Sequence, residues 1–298
     1  MPAGRYAPSP TGPLHLGNLR TALLAWLFAR SSAARFVVRV EDVDTGRSRE
    51  RFVAEQLADL AAIGLDWDGP VVRQSQRGAA YAEALADLDA RGLVYPCWCT
   101  RAEIREAAAA PHGPSADGAY PGTCSALTAA DRTRRERSGR PAALRVRTGG
   151  AHVGVEDRLL GPVSATLDDF VLKRTDGDWA YNLAVVVDDH AQGVEQVVRG
   201  ADLLDTTPRQ AWLHAALGYG APPAYAHVPL LLGPDGARLA KRHGAVTLAD
   251  RAAQGQDAAT VRAELAASVG LCVPGARPEP AELVASFAPT LLAPTPSG

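Results

Sequence analysis

Apolar residues Leu16, Leu19, Leu23, Trp26 and Leu27 recur at helical spacing directly after a proline-rich stretch, Ala7 to Pro13. This pattern predicts a loop running into a helix. Phe36-Val37-Val38-Arg39-Val40 is β-branched and bounded by charge, which predicts a buried strand, and helical patterns follow at about Glu50 to Ile63 and Gly78 to Arg91. The alternation of strand and helix predicts an α/β fold built on a doubly wound parallel sheet.

From Pro96 to Ser125 the texture changes to Cys, Gly, Pro and Ala with little periodicity. Such an insertion has few apolar residues for a core of its own and needs another source of order, such as a metal. Leu144 to Val155 and Asp169 to Lys173 read as short strands. Leu183 to Val187 reads as a strand that ends in Asp188-Asp189-His190, where the parallel sheet resumes. Asp202 to Leu217 reads as a helix with Pro208 near its start. Val228 to Leu232 reads as a buried strand ending at the turn Gly233-Pro234-Asp235-Gly236. Beyond a helix at Ala258 to Val269, the Pro- and Ala-rich stretch from Pro274 to Gly298 is expected to be mobile or loosely docked.

Composition narrows the class. Hydrophobic residues make up 47% and charged residues 21% of 298, with 31 basic against 33 acidic side chains. That balance fits a soluble globular protein and excludes disorder and collagen-like structure. The net charge of -2 argues against a nucleic-acid coat formed by a global basic surface, although it permits a local basic face. The longest apolar run, Ala22 to Ala29, is far short of the roughly 20 residues that span a bilayer. No membrane contact is expected, and a cytoplasmic, monomeric protein is. Of four cysteines, Cys97, Cys99 and Cys124 share one short stretch while Cys272 stands apart beside Leu271 and Val273. That is metal spacing more than disulfide spacing, with Cys272 read as a buried small apolar residue.

Two stretches carry candidate chemistry. Pro8-Ser9-Pro10-Thr11-Gly12-Pro13-Leu14-His15-Leu16-Gly17-Asn18 leads into the first helical turn. Unpaired backbone N–H groups and the positive end of the helix dipole there suit a phosphate; Gly17 permits close approach, and His15 can add a proton-donating hydrogen bond. Alternatively, Pro and Gly merely shape the loop and His15 starts the helix. The second stretch, Gly236-Ala237-Arg238-Leu239-Ala240-Lys241-Arg242-His243-Gly244, is a basic loop after a strand. It is either solvated or able to close over a triphosphate and neutralise charge on the α-phosphate and departing pyrophosphate.

Taken together these stretches resemble the class I aminoacyl-tRNA synthetases, with His15-Leu16-Gly17-Asn18 as the His-x-Gly-type signature and Arg238-Leu239-Ala240-Lys241-Arg242 as the lysine loop. Arg5-Tyr6-Ala7-Pro8-Ser9-Pro10-Thr11-Gly12, Arg39-Val40-Glu41-Asp42-Val43-Asp44, Val198-Arg199-Gly200-Ala201-Asp202 and Thr207-Pro208-Arg209-Gln210 narrow the likeness to glutamate-handling members. The resemblance spans roughly Gly4 to Leu248. It departs from the family at Asn18, where many members have His, and at Ala240, where Ser is common; neither change removes an indispensable charge.

The resemblance implies a Rossmann-type class I synthetase core. Residues 1–95 and 151–250 would form its two halves, 96–150 a zinc- and acceptor-binding insertion, and 251–298 a short helix and tail. It implies ATP bound by Pro8, His15, Gly17, Asn18, Arg238 and Lys241, with His15 and Lys241 catalytic and Mg2+ held largely by the phosphates and water. L-glutamate presents two carboxylates and an ammonium, so its pocket needs arginine forks and an acid. Arg5, Arg199 and Glu41 fit those needs, and the resemblance adds Tyr6, Ala7, Pro8, Ser9 and Tyr181.

Cys97, Cys99 and Cys124 leave a tetrahedral structural Zn2+ one ligand short. Ligand statistics favour His112. Cys-x-Cys followed by Tyr-x-x-x-Cys instead resembles the zinc module of short glutamyl synthetase-like proteins and implies Tyr120. Only about 50 residues follow Leu248, too few for the large helical anticodon reader of a full glutamyl-tRNA synthetase. With the cysteine pattern, this resembles the short family that activates glutamate without tRNA and attaches it to queuosine in the anticodon arm of tRNA(Asp). Two rivals are a compact enzyme charging a tRNA acceptor end and an inactive nucleotide- or zinc-binding module.

Overall fold

The computed structural model describes residues 1–108, 119–233 and 246–292. Strand β1 (Ala3–Tyr6) is buried along its whole length. It leads through the proline loop into helix α1 (Leu16–Ser31), whose buried residues lie on every side. A helix that is apolar all round belongs inside the protein. Packed against β1 and the surrounding elements, Leu19, Leu23 and Leu27 are fully buried and stabilise the fold by about 1.5–3 kcal/mol each. Leu23→Ala would cost about 2–5 kcal/mol. Ala33, in the left-handed region at φ 52°, turns the chain out of the helix, and Ala34 N–H donates back to Ala29 O.

The chain continues through β2 (Arg35–Val40), α2 (Glu50–Ala62), β3 (Val72–Arg73) and α3 (Gly78–Ala90) to β4 (Val94–Cys97), α4 (Arg101–Ala108) and α5 (Ala129–Arg137). It then forms β5 (Ala143–Val146), β6 (His152–Asp157), β7 (Gly161–Thr166), β8 (Val171–Lys173) and α6 (Tyr181–Ala191). Last come β9 (Val194–Gly200), α7 (Thr207–Ala216), β10 (Ala224–Val228), α8 (Leu248–Ala253), α9 (Ala258–Ala267) and α10 (Pro280–Ser286). Seven strands form one sheet in the order β3-β2-β1-β9-β10-β6-β7, parallel except for the β6–β7 hairpin at one edge. A second, antiparallel sheet has the order β4-β5-β8. Strand order reverses between β1 and β9, so a crevice opens at their carboxyl ends, where ligands bind in open α/β sheets.

The structure departs from or narrows the sequence expectations at four places. Leu183 to Val187 lies in α6, not in a strand; residues 183–189 are all buried, and a short apolar run has no period that separates a buried helix from a buried strand. The parallel sheet resumes at β9 instead. The expected strand at 228–232 lies earlier, at β10, because Pro229 has no N–H for the ladder and Arg20 Nη2 takes its carbonyl (2.5 Å). Of the two expectations for the tail, mobile or loosely docked, the described residues follow the second as far as Leu292: Leu283 and Leu292 are buried, and Phe287 meets Phe28 of α1 edge-on at 5.1 Å. The 202–217 helix divides into a 3-10 turn, Ala201–Thr206, and α7, with Pro208 in the first turn.

Candidate active site

Three prolines leave the loop before α1 poor in hydrogen-bond donors, so other elements hold it. Glu41 and Arg49 N–H groups donate to Pro8 and Pro10 carbonyls (both 2.9 Å). The buried Gln56 amide of α2 donates to Ser9 O (3.1 Å) and Gly12 O (2.7 Å). His15 is the N-cap of α1: its Nδ1 accepts from Asn18 N–H (3.2 Å), while Asn18 Oδ1 accepts from His15 N–H (3.3 Å). With Nδ1 accepting, the neutral ring carries its proton on Nε2. No acidic side chain occupies the first turn, so the positive end of α1 keeps its field. A Cβ at Gly17 would lie 3.0 Å from His15 Cε1 and Nδ1, so this glycine makes room for the capping ring itself.

A cavity of about 650 Å³ sits over the crevice. Its walls include Arg5, Tyr6, Ala7, Pro8 and Ser9 from β1 and the loop, together with His15, Gly17 and Asn18 from the start of α1. Glu41, Tyr181 and Arg199 complete the set of expected residues within the described segments. Arg238, Ala240, Lys241 and His112 lie outside the described residues.

Beneath the cavity a charge cluster balances three cations, buried Arg5 and Arg39 and half-buried Arg77, against buried Glu41, Asp188 and Asp189. Asp189 accepts from Arg39 Nη1 (2.7 Å) and Arg5 Nε (3.5 Å), while Arg39 Nη2 donates to Glu41 (3.2 Å). Asp188 takes Gln74, Arg77 and the Tyr81 hydroxyl. Burial pushes the Asp189 carboxyl up, but Arg39 and Arg5 outweigh it and hold the group below the usual range. At Glu41 burial prevails over the same two arginines, and the carboxyl is raised. Burial also raises the Tyr181 hydroxyl, with Glu41 adding to it. Sequence reasoning read Asp188 and Asp189 as a polar strand end and passed over Gln56. The available signal was two acids closing an apolar run in a chain with arginines on neighbouring strands.

Arg199, at the end of β9, is also buried. Its Nη1 donates to Gln210 Oε1 (2.8 Å) and lies 3.5 Å from the Tyr181 hydroxyl; its Nη2 donates to Thr207 Oγ1 (2.8 Å); its Nε donates to His227 Nε2 (3.0 Å). A donor-only guanidinium in this cage is oriented before any anion arrives.

The thiols of Cys97, Cys99 and Cys124 all lie within 4.8 Å of one another, with Cys99 and Cys124 3.5 Å apart, and none forms a disulfide. Thiolates on one tetrahedral zinc stand about 3.8 Å apart, given Zn–S bonds near 2.3 Å. The Tyr120 hydroxyl lies 3.4 Å from Cys97 Sγ and accepts from Cys124 N–H (2.7 Å). Burial, reinforced by Cys124 and Cys97, pushes the Cys99 thiol up to about 12, and a bound cation would favour its thiolate. The donor set therefore fits zinc. Cys272 packs, half-buried, against the main core.

The description "tRNA synthetases class I (E and Q), catalytic domain" matches residues 3–273 of this chain. A Nocardia farcinica protein named Glutamyl-Q tRNA(Asp) synthetase is 60% identical over 290 residues, which cover 97% of this chain and 90% of that protein. The protein of the same name from Symbiobacterium thermophilum is 50% identical over 299 residues, covering 96% and 92%. Among solved structures, a glutamate tRNA ligase from Elizabethkingia meningosepticum, in complex with its amino acid, superposes with a TM-score of 0.84 at 27% identity. That match covers 98% of this chain and 66% of the other. With the signature loop, the strand-end cavity and these likenesses, the chain belongs to the class I tRNA synthetases of the glutamate and glutamine type and, within them, to the glutamyl-Q tRNA(Asp) synthetases.

Proposed function

We propose that the protein activates L-glutamate with ATP, without tRNA, and transfers the glutamyl group to the queuosine base in the anticodon loop of tRNA(Asp). One observation carries this reading: a single cavity gathers Arg5, Arg199 and Glu41 beside the His15 end of α1, in a chain 60% identical to a protein of that name. Arg5 and Arg199 fork onto the substrate carboxylates and Glu41 takes the ammonium. Tyr6, Ala7, Pro8, Ser9 and Tyr181 shape the remainder of the glutamate pocket. Pro8, His15, Gly17 and Asn18 receive ATP at the helix start, where the positive end of the α1 dipole favours the phosphates. Arg238 and Lys241 complete the phosphate site in this reading.

In the first step a glutamate α-carboxylate oxygen forms a bond to the α-phosphorus, the bond to the β-phosphate oxygen breaks, and pyrophosphate leaves. In the second step a hydroxyl of the base attacks the acyl carbon, AMP leaves, and the hydroxyl proton passes to solvent. Positioning and electrostatic stabilisation do most of this work. Mg2+ would accompany the phosphates and neutralise their charge. Zn2+ would be held by Cys97, Cys99, Tyr120 and Cys124 and would order the insertion.

Glutamate-dependent exchange of pyrophosphate into ATP, measured without tRNA, tests the first step; its absence in metal-replete protein overturns the reading. A queuosine-containing anticodon-arm fragment tests the second. If intact tRNA(Glu) accepts glutamate and the fragment does not, the chain is an acceptor-end enzyme.

A further inference from the structure

A buried relay behind Arg199 reaches from the cavity to the far edge of the parallel strands. His227 in β10 is fully buried, and so is Asp157 at the end of β6. His227 Nε2 faces Arg199 Nε at 3.0 Å. Guanidinium nitrogens only donate, so Nε2 must accept and the ring must be neutral with its proton on Nδ1. That proton points at Asp157 Oδ2, 2.6 Å away. Asp157 is fixed in turn: its Oδ1 accepts from the N–H groups of Leu159 and Leu160 (both 3.0 Å), and the His227 N–H donates to Oδ2 (3.1 Å). The Thr207 hydroxyl, which accepts from Arg199 Nη2, can donate its own proton toward Nε2 at 3.1 Å.

We propose that His227 is a positioning residue for glutamate binding: Asp157 locks it in the Nδ1–H tautomer, and its Nε2 lone pair aims the Arg199 guanidinium into the cavity. This rests on the reading of Arg199 as a fork for a substrate carboxylate. The alternative tautomer would set an N–H against an N–H at this contact and turn the fork away.

Asp157→Asn reverses the tautomer with a one-atom change and also removes the Oδ2 acceptor of the His227 backbone N–H. The backbone donors of Leu159 and Leu160 keep the amide oxygen at the Oδ1 site, so the NH2 group faces His227 Nδ1 and drives its proton to Nε2. Loss of a charge-assisted contact in a buried site implies a rise in glutamate KM of roughly 10- to 100-fold. The KM for ATP should hold within about threefold, a small difference on the same scale. His227→Gln supplies an amide oxygen as acceptor and has no tautomer, so it should cost less, and adding Asp157→Asn to it should cost far less than Asp157→Asn does alone. Thermal unfolding verifies that each variant folds; if Asp157→Asn does not, His227→Leu against His227→Gln decides, with only the former losing glutamate affinity.

All are read by glutamate-dependent pyrophosphate exchange on the full chain. If the wild type shows no exchange, the assignment of the cavity fails. If the wild type exchanges while Asp157→Asn leaves glutamate KM unchanged, moves both KM values together, or adds its full effect to His227→Gln, the positioning role is overturned.

Discussion

Asp189→Ala should be among the most damaging single changes beneath the cavity. The carboxylate accepts from Arg39 Nη1 at 2.7 Å and Arg5 Nε at 3.5 Å, and Arg39 has no exposed surface. Removing one member of a buried ion pair costs about 3–5 kcal/mol, because the partner stays behind uncompensated. Arg39 would keep Glu41 at 3.2 Å and Asp188 at 3.9 Å, which places the loss at the lower end, about 3 kcal/mol. For a chain of this length that corresponds to a fall in Tm of about 5 °C. Asp189→Asn keeps an acceptor and should lose roughly half as much. Calorimetry or circular dichroism at neutral pH measures both.

The acid side gives a second check. The folded pKa of Asp189 lies below its unfolded value, near 3.9, so its contribution is fully present above that pH and is lost as pH falls through the folded value. The gap in stability between wild type and variant should therefore narrow below about pH 4. Arg5 would also lose one of its anchors, so glutamate KM should rise several-fold. A destabilisation below about 1 kcal/mol at neutral pH would refute the reasoning, because it would mean that a sealed guanidinium tolerates the loss of its nearest carboxylate.

Three further outcomes follow from the same geometry. Gly17→Ala should gain about 1 kcal/mol from helix propensity but lose about as much from the displaced His15 cap, so stability should barely change while glutamate-dependent exchange falls, as steady-state kinetics would show. Protein purified without chelator should contain one zinc per chain by elemental analysis. Cys97→Ser or a strong chelator should remove it and lower Tm, whereas Cys272→Ser should retain it. The raised Glu41 carboxyl, which faces Arg39, Arg5 and Asp189, should protonate earlier than an exposed one. Glutamate KM should therefore begin to climb, as pH falls, before glutamate's own side chain titrates near 4.3, and Glu41→Gln should flatten that early climb.

What could be seen in the sequence was whatever has a period or a motif. Helix α1 declares itself by apolar spacing and β2 by its β-branched run, and the loop ahead of α1 by its prolines. The cavity lining was legible because Arg5, Glu41 and Arg199 fall at strand ends inside recognisable stretches. Helix α6 was hidden because Leu-Ala-Val-Val-Val is buried on all sides and carries no period. Strand β7 was hidden by its small and polar residues, which alternate between half-buried and exposed. The residues that hold the arginines in place, Gln56, Asp157, Asp189 and His227, were illegible for a different reason. Each is polar, belongs to no periodic pattern, and meets the side chain or loop carbonyl that gives it its role 28 or more residues away.

The position of β1 inside the sheet has a consequence for how the chain is made. Its edge pairs on one side with β2 but on the other with β9, where Ala3 faces Val194. At about 5–20 residues per second, a ribosome releases β9 roughly 10–40 s after β1. During that interval the partly formed sheet presents an unpaired inner strand, with buried-type side chains, to the crowded medium around the ribosome. Biogenesis therefore has a window of vulnerability to edge-to-edge association. Slowing translation ahead of β9 should lengthen it, and a chaperone that shields strand edges should shorten its effect.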